Sequence, residues 1–595
     1  MWVGGNTDAF SEKKFLGRAR LVAVVFAVLY GLITLRLFYL QVLKGEELAR
    51  MSENNRTQVI FLRAPRGEFF DSKGRLLVTN RPSWSVMYSP PEKMKEEQEQ
   101  ERIRRRLAPF MEPFSKKWLR RLDRAFETGQ MVRLVEDVPN NVSFGMKEMG
   151  ELVPGLRVVM EFRRGYQEGN VPGHLVGYLG EISEDELKEK AWSQRRQSDL
   201  IGKMGLERIL DREVRGQDGG MLIEVDSIGR WKRIIRELSS QKGSDVQLTL
   251  DIDVQRAAEQ GLLETPTKRG AAVAIDVKSG AILAWASAPS FDLRGSLAEG
   301  ITDSGLPFFD RVHRGTYPPG STFKIMTAIA GLENGAVNVT DKINCPGYLL
   351  LMDKQGKEKR YGCWKRHGPI DFWRAMAESC DTYFYLLGAR TGPTEIANTA
   401  AEFGFGQLVQ HVFPGERTGT LPNPAWKKSH GLGGWSTGDT YNMSIGQGFV
   451  TCTPLQMAVM MAGVAGRGKM MAPYVVEKII GPDGVPSYQS SKTMLRQIVL
   501  KDATWEMIFK ALRLVITNGT GGVGNSSYLD VWGKTGTAQN PHGADHAWFV
   551  AYGGYPNEAP SVAVCVFVEN GGHGGSEAAP VAKKMLEIAL PKRSS

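Results

Sequence analysis

The chain has 595 residues, 24% of them charged and 42% hydrophobic, with a formal net charge of +10. That length calls for several domains and a large core, and the composition excludes a low-complexity or disordered protein. The modest positive charge suits an anionic membrane surface, while the absence of any basic cluster with interleaved aromatics argues against nucleic acid as a partner.

Residues 1–20 read as a short tail and 21–41 as a membrane span. LVAVVFAVLYGLITL, 21–35, is uncharged, and after Arg36 the apolar text resumes with Leu37, Phe38, Tyr39 and Leu40. One helix over this text has roughly twenty residues, enough to cross a bilayer core, and Arg36 lies near enough to its end to snorkel. Lys13, Lys14, Arg18 and Arg20 precede it, so the N-terminus is expected to stay cytoplasmic and the rest to be exported. A cleaved signal peptide is the alternative. Against it, the apolar stretch is long for one and no A-x-A-like site follows. The expectation is a single-pass protein of the inner (cytoplasmic) membrane with its bulk on the periplasmic side.

From 55 to 230 the text is charged and turn-rich. RAPRGEFFDSKGRLLVTN, 63–80, reads as a hairpin around Lys73-Gly74. KMKEEQEQERIRRRL, 93–107, reads as a solvated helix face. HLVGYLGEIS at 174–183 and GKMGLERILDREVRGQDGG at 202–220 follow. None of these carries a catalytic constellation, so a structural or partner-binding module is expected.

A second domain is expected over 245–590. DVQLTLDIDVQRAAEQGL, 245–262, reads as a strand and a helix, and AAVAIDVKSGAILAWASAP, 271–289, as two strands around Lys278-Ser279-Gly280. LDVWGKTGTAQ at 529–539, HAWFVAYGGY at 546–555 and SVAVCVFVEN at 561–570 supply three more, and GGSEAAPVAKKMLEIAL, 574–590, a closing helix. Short links favour a five-stranded antiparallel sheet, with the helices before and after it able to cover both faces. The fold class is α/β (α+β).

Within this domain YPPGSTFKIMTAIAGL, 317–332, runs a Pro-Pro-Gly break into Ser321, with Lys324 three residues on. Taken alone, Ser321 is a good helix N-cap before an apolar helical face, and Ser-x-x-Lys recurs at Ser11-Lys14 and Ser239-Lys242. Two further fragments change that. Ser379-Cys380-Asp381 stands at a break in helical text, and Lys534-Thr535-Gly536, followed by Thr537, lies on a predicted strand. Ser-x-x-Lys, Ser-x-Asn/Asp and Lys-Thr-Gly, in this order and context, are the signature set of penicillin-binding proteins and serine β-lactamases. A serine and lysine at i and i+3 share a helix face, so a neutral amine can take the serine proton. Burial and a neighbouring charge such as Lys534 are expected to favour that neutral amine. Ser379 can relay a proton to a leaving amine, and Lys534, Thr535 and Thr537 offer a cation and hydroxyls to a carboxylate. No G-x-S-x-G elbow or H-E-x-x-H is present, and Tyr528 occupies the glycine position a Walker A loop would need.

The resemblance extends over nearly all the chain after the apolar span. RAPRGEFFDSKGRLLVTN resembles the pedestal motif of class B penicillin-binding proteins, and GLER at 205–208 and GDTYNMSIGQG at 438–448 resemble further family stretches. SCDTYFY and KTGTAQ are most similar to the penicillin-binding protein 2, or elongation, branch; Asp381 replaces the Asn of the general set but matches that branch. The resemblance implies an elongated pedestal (dimerisation) domain over 55–230 and a penicillin-binding transpeptidase domain over 245–590, without a preceding glycosyltransferase domain. It implies peptidoglycan D,D-transpeptidation, with Ser321 as nucleophile toward stem-peptide D-Ala-D-Ala and as the target of β-lactams, and an oxyanion hole from the N–H groups of Ser321 and Thr537. A membrane glycan polymerase of the RodA type and other elongation-complex proteins are the implied partners. The alternatives are a septal transpeptidase, a D,D-carboxypeptidase, and a non-catalytic β-lactam sensor or scaffold; a sensor needs a cytoplasmic output module for which twenty residues leave no room.

Of the five cysteines, Cys452 and Cys565 lie in apolar runs and read as core. In an exported chain Cys345 and Cys363 suggest a disulfide. Cys345, Cys363, His367 and Cys380 together form a Cys₃His set suited to structural zinc, which would fix the Ser379-Asp381 loop; relatives in the penicillin-binding protein 2 branch can carry zinc here. Inert thiols are the third reading. His546 and His573 are expected to be structural.

Overall fold

In the computed structural model the described residues are 8–48, 57–90, 96–112, 114–129, 131–167, 171–192, 195–196, 199–225, 231–294, 303–352, 358–409 and 413–593. The helix Asp8–Phe38 continues into a π-helical turn, Tyr39–Leu43. Its segment Phe15–Leu43, 29 residues, is long and apolar enough to cross a membrane, and none of its most apolar stretch is buried among the described residues. The chain divides into two compact units. One comprises Met1–Ala64, Pro82–Arg163 and Gln217–Gln241; the other comprises Pro65–Arg81, Arg164–Gly216 and Lys242–Ser595.

In the first unit Thr57–Leu62, Gly219–Val225 and Trp231–Leu238 form a three-stranded antiparallel sheet. The helix Glu97–Met111 belongs here and corrects one reading. Ile103, Leu107 and Met111 recur every fourth residue and are buried with Leu122 and Phe126, so only the charged residues between them form a solvated face. Residues 93–95 of that run lie outside the described residues.

In the second unit Phe69–Phe70 turns at Gly74, whose φ is +77°, and pairs with the start of Leu76–Tyr88 as the predicted hairpin. Arg66 from this stretch reaches Glu207 at 2.8 Å and Asp211 at 2.9 Å, and Arg164 and Arg195 complete the charges. Two stretches separated by about 140 residues in sequence thus meet in a buried network whose charges are paired, as burial requires.

The main sheet has five antiparallel strands: β1 (Gly270–Asp276), β2 (Ile282–Ala288), β3 (Asp530–Ala538), β4 (His546–Gly554) and β5 (Val562–Val568), in the order β2-β1-β5-β4-β3. Strand period two sorts its residues. Ala272, Ala274, Val564 and Val566 face one way, against Ile252–Glu264 and the closing helix Gly574–Ala589. Ala271, Val273, Cys565 and Phe567 face the other, against the helix Pro454–Ala465. The helices before and after the sheet therefore share one face, and the helical middle covers the other. The turn Gly320–Phe323 of that middle packs on β3, and the site forms there.

Candidate active site

The Pro-Pro-Gly break leads into a tight 3₁₀ turn, Gly320–Phe323, and then the helix α1 (Lys324–Glu333). Pro319 holds the N-cap position of the turn and Phe323 that of the helix, so Ser321 lies inside the turn and caps neither, which corrects the N-cap reading. Three contacts fix the turn: Gly320 N donates to Gly446 O at 2.9 Å, Trp548 Nε1 donates to Pro318 O at 2.9 Å, and Thr322 Oγ1 donates to Pro319 O at 2.6 Å. The glycines permit this approach. A Cβ on Gly446 would lie 2.4 Å from Gly320 O, and one on Gly536 2.9 Å from Thr322 Cγ2 and 3.1 Å from Pro319 O. Gly446 and the glycine of Lys-Thr-Gly are thus packing requirements of the serine turn.

Lys324 is fully enclosed. Its Nζ lies 2.7 Å from Asp381 Oδ1, 2.9 Å from Ser379 O and 3.2 Å from Ser379 Oγ. The break between Phe372–Ala377 and α2 (Asp381–Thr391) makes this possible. Ser379 has a left-handed φ of +56°, a strained conformation for a non-glycine residue that clusters at functional sites, and both its oxygens reach the lysine. Lys534, on β3, is also wholly buried, and its ammonium feels Lys324 and Asp381. Burial pushes Lys534 well below the usual lysine value, and the charge of Lys324 adds to that against the pull of Asp381. Burial raises the Asp381 carboxyl, against the lowering effect of Lys324.

Thr535 and Gly536 follow Lys534 on β3, and Thr537 packs against the serine turn: a Cβ on Gly320 would lie 2.6 Å from Thr537 O. Thr535 Oγ1 lies 2.5 Å from Thr520 Oγ1. Sequence reading missed Thr520, which sits in a glycine-rich link with no spacing signal. His546 is structural, its Nδ1 accepting from Asn570 N at 3.0 Å.

Beneath the middle motif, one ligand atom from each of Cys345, Cys363, His367 and Cys380 lies within 4.8 Å of all the others. No disulfide joins Cys345 to Cys363; all five cysteines are free thiols. His367 Nδ1 is 3.5 Å from Cys345 Sγ and 3.6 Å from Cys363 Sγ, and the Cys363 and Cys380 sulfurs are 4.0 Å apart. Tetrahedral zinc with ordinary Zn–S and Zn–N lengths sets S···N near about 3.6 Å and S···S near about 3.8 Å, so the donor set fits the metal. His367 Nε2 is buried without a hydrogen-bond partner and lies 3.8 Å from Glu378 Oε2, the outer carboxylate that metal-bound histidines commonly have. The S–H of Cys380 lowers the Cys363 thiol, helped by the N–H groups of Thr382, Asp381 and Lys365 and opposed by burial; the same contact, with burial, raises Cys380.

Residues 270–587, more than half of the chain, match the penicillin-binding protein transpeptidase domain. The chain belongs to this family. Residues 61–248 match the penicillin-binding protein dimerisation domain. A curated relative, peptidoglycan D,D-transpeptidase MrdA of Acinetobacter baumannii, is 31% identical over 98% of this chain and 89% of its own length. A chain from a solved peptidoglycan synthase complex that coordinates polymerization and crosslinking is 29% identical, with a TM-score of 0.70 over 97% of this chain and 99% of its own. Penicillin-binding protein 2 of Helicobacter pylori, solved with MreC, has the same fold at 24% identity, with a TM-score of 0.74 over 90% of this chain and 99% of its own. The likeness to penicillin-binding protein 2 relatives thus runs through both matched domains and the N-terminal apolar helix.

Proposed function

We propose that the protein is a peptidoglycan D,D-transpeptidase of cell elongation that works through a serine acyl-enzyme. Ser321 Oγ attacks the carbonyl of the penultimate D-Ala of a stem pentapeptide, and its proton passes to the Lys324 amine, which must be neutral to receive it. Ser379 Oγ, 3.2 Å from Lys324 Nζ, carries a proton to the departing D-Ala nitrogen. The amine of a neighbouring stem then attacks the acyl-enzyme, forms the new amide and releases Ser321 with its proton restored. N–H groups of Ser321 and Thr537 hold the oxyanion, and Thr535 and Thr537 hold the terminal carboxylate. Water in place of the acceptor amine would give D,D-carboxypeptidase turnover from the same intermediate. The observation that carries this reading is the convergence of Ser379 and Asp381 on the enclosed Lys324, three residues after Ser321. A β-lactam is read as acylating the same serine.

Cys345, Cys363, His367 and Cys380 are proposed to hold a structural zinc ion, which would tie the hairpin bearing Cys363 to the loop bearing Ser379. It supplies no step of the acyl transfer. The helix Phe15–Leu43 is proposed as an uncleaved anchor with a cytoplasmic N-terminus and a periplasmic site. The mated partners are proposed to be a RodA-type glycan polymerase and other elongation-complex proteins, with the solved synthase complex as precedent. Incubating the full chain with nascent glycan strands and a polymerase tests the reading. Cross-linked stems with released D-Ala support it; trimmed tetrapeptides alone would reduce it to a carboxypeptidase.

A further inference from the structure

Thr520 lies in the link between the helix Asp502–Thr517 and β3, far from the three motifs in sequence pattern but against two of them in space. Its N–H donates to Ala377 O at 3.1 Å, two residues before Ser379. Its Oγ1 stands 2.5 Å from Thr535 Oγ1. The surrounding backbone leaves it no freedom: a Cβ on Gly519 would lie 2.2 Å from Ala377 O, and one on Gly575, in the first turn of the closing helix, 2.7 Å from Thr520 O. Thr520 is therefore a strut between the segment leading into the middle motif and the strand of the third.

We propose that Thr520 is a positioning residue that aims the hydroxyl proton of Thr535 at the carboxylate of the acyl donor. The proposal rests on the reading of Thr535 as a carboxylate-binding residue. Among the described residues the two hydroxyls hydrogen-bond only to each other. Each has one proton to donate and lone pairs to accept with, while an ionised carboxylate only accepts. If Thr535 donated to Thr520, it would turn lone pairs toward the anion and repel it. If Thr520 donates to Thr535, the Thr535 proton is free for the carboxylate, and the second bond polarises the first. Bound substrate therefore selects the order Thr520 to Thr535 to carboxylate. A valine at 520 keeps the shape and loses the donor, while a serine keeps it.

The test measures acylation of the full chain by benzylpenicillin and by its methyl ester, in which the carboxylate is masked. Thr520→Val is expected to lower the second-order rate with benzylpenicillin by roughly tenfold, the size of a lost hydrogen bond to a charged group, and that with the ester by less than about twofold. Thr520→Ser should retain the wild-type preference for the free acid. Equal losses on both compounds, or no loss on either, would overturn the proposal, since a merely structural role does not distinguish them. Thr535→Val is run in parallel. If it keeps the preference for the free acid, the carboxylate reading of Thr535 fails and takes the proposal with it; if it loses the preference while Thr520→Val keeps it, only the role of Thr520 fails. Thr520→Ala gives the same readout should the valine variant not fold.

Discussion

Lys324 and Asp381 are joined by a 2.7 Å ion pair with the lysine wholly enclosed and the carboxylate only 16% exposed. The site places a charge against this lysine, and the lysine depends on it. Removing one member of a buried pair strands the other, at a cost of about 3–5 kcal/mol. Asp381→Ala is expected to lose about 3 kcal/mol of unfolding free energy in urea. Asp381→Asn still offers an oxygen to Nζ and should lose about half that or less. Equal losses for the two variants would mean that the pair is not what holds the lysine.

Lys534 gives the site a pH signature. Its folded-state value is depressed, by burial first and by Lys324 second. Between that depressed value and the unfolded value near 10.5, the unfolded chain binds the extra proton. The stability contribution of this group therefore rises with pH across that window, by at most about 1.4 kcal/mol per pH unit. Lys534→Met should flatten the rise measured by denaturant unfolding from neutral pH toward pH 10. A variant with an unchanged slope would show that Lys534 stays protonated in the fold.

Gly536 separates β3 from the serine turn. An added Cβ would sit 2.9 Å from Thr322 Cγ2, 3.0 Å from Trp548 Cβ and 3.1 Å from Pro319 O, so Gly536→Ala must move the strand or the turn. Displacements of this kind cost catalysis on the order of 100-fold. Penicillin acylation by the alanine variant is expected to fall by about that factor while the protein remains folded. A rate near wild type would mean that the turn yields without disturbing Ser321.

Much of this site was legible because it is written in local spacing. Ser321 and Lys324 share a helix, Ser379 and Asp381 flank a helix break, and Lys534 to Thr537 run along a strand. The unbroken apolar runs in Gly270–Asp276 and Val562–Val568 likewise mark strands covered on both faces. What escaped was set by three-dimensional neighbours. Ser321 has the surroundings of a cap in sequence, but the 3₁₀ turn withdraws it from that role. Which lysine Asp381 pairs with depends on where its side chain points. Thr520 acquires meaning only from Thr535 across the link. Ile103 and Leu107 were hidden in a charged run because two apolar residues at helical spacing carry little weight until Leu122 and Phe126 cover them.

The cysteine cluster makes a prediction that does not depend on the acyl chemistry. Protein purified without chelator is expected to contain about one zinc per chain, as a closed four-ligand site holds. Cys363→Ser should lose the metal and lower the melting temperature by roughly 5 °C or more, since binding energy in such a site is folding energy. Metal-free protein with wild-type melting behaviour would leave the four residues as a thiol cluster only.

The central claim is that Ser321 is the acylated nucleophile, and covalent labelling by a fluorescent penicillin tests it most directly. The labelled peptide is predicted to contain Ser321, with labelling abolished in Ser321→Ala while the variant melts like wild type. Full labelling of Ser321→Ala, or label mapped to another residue, would contradict the mechanism and place the nucleophile elsewhere.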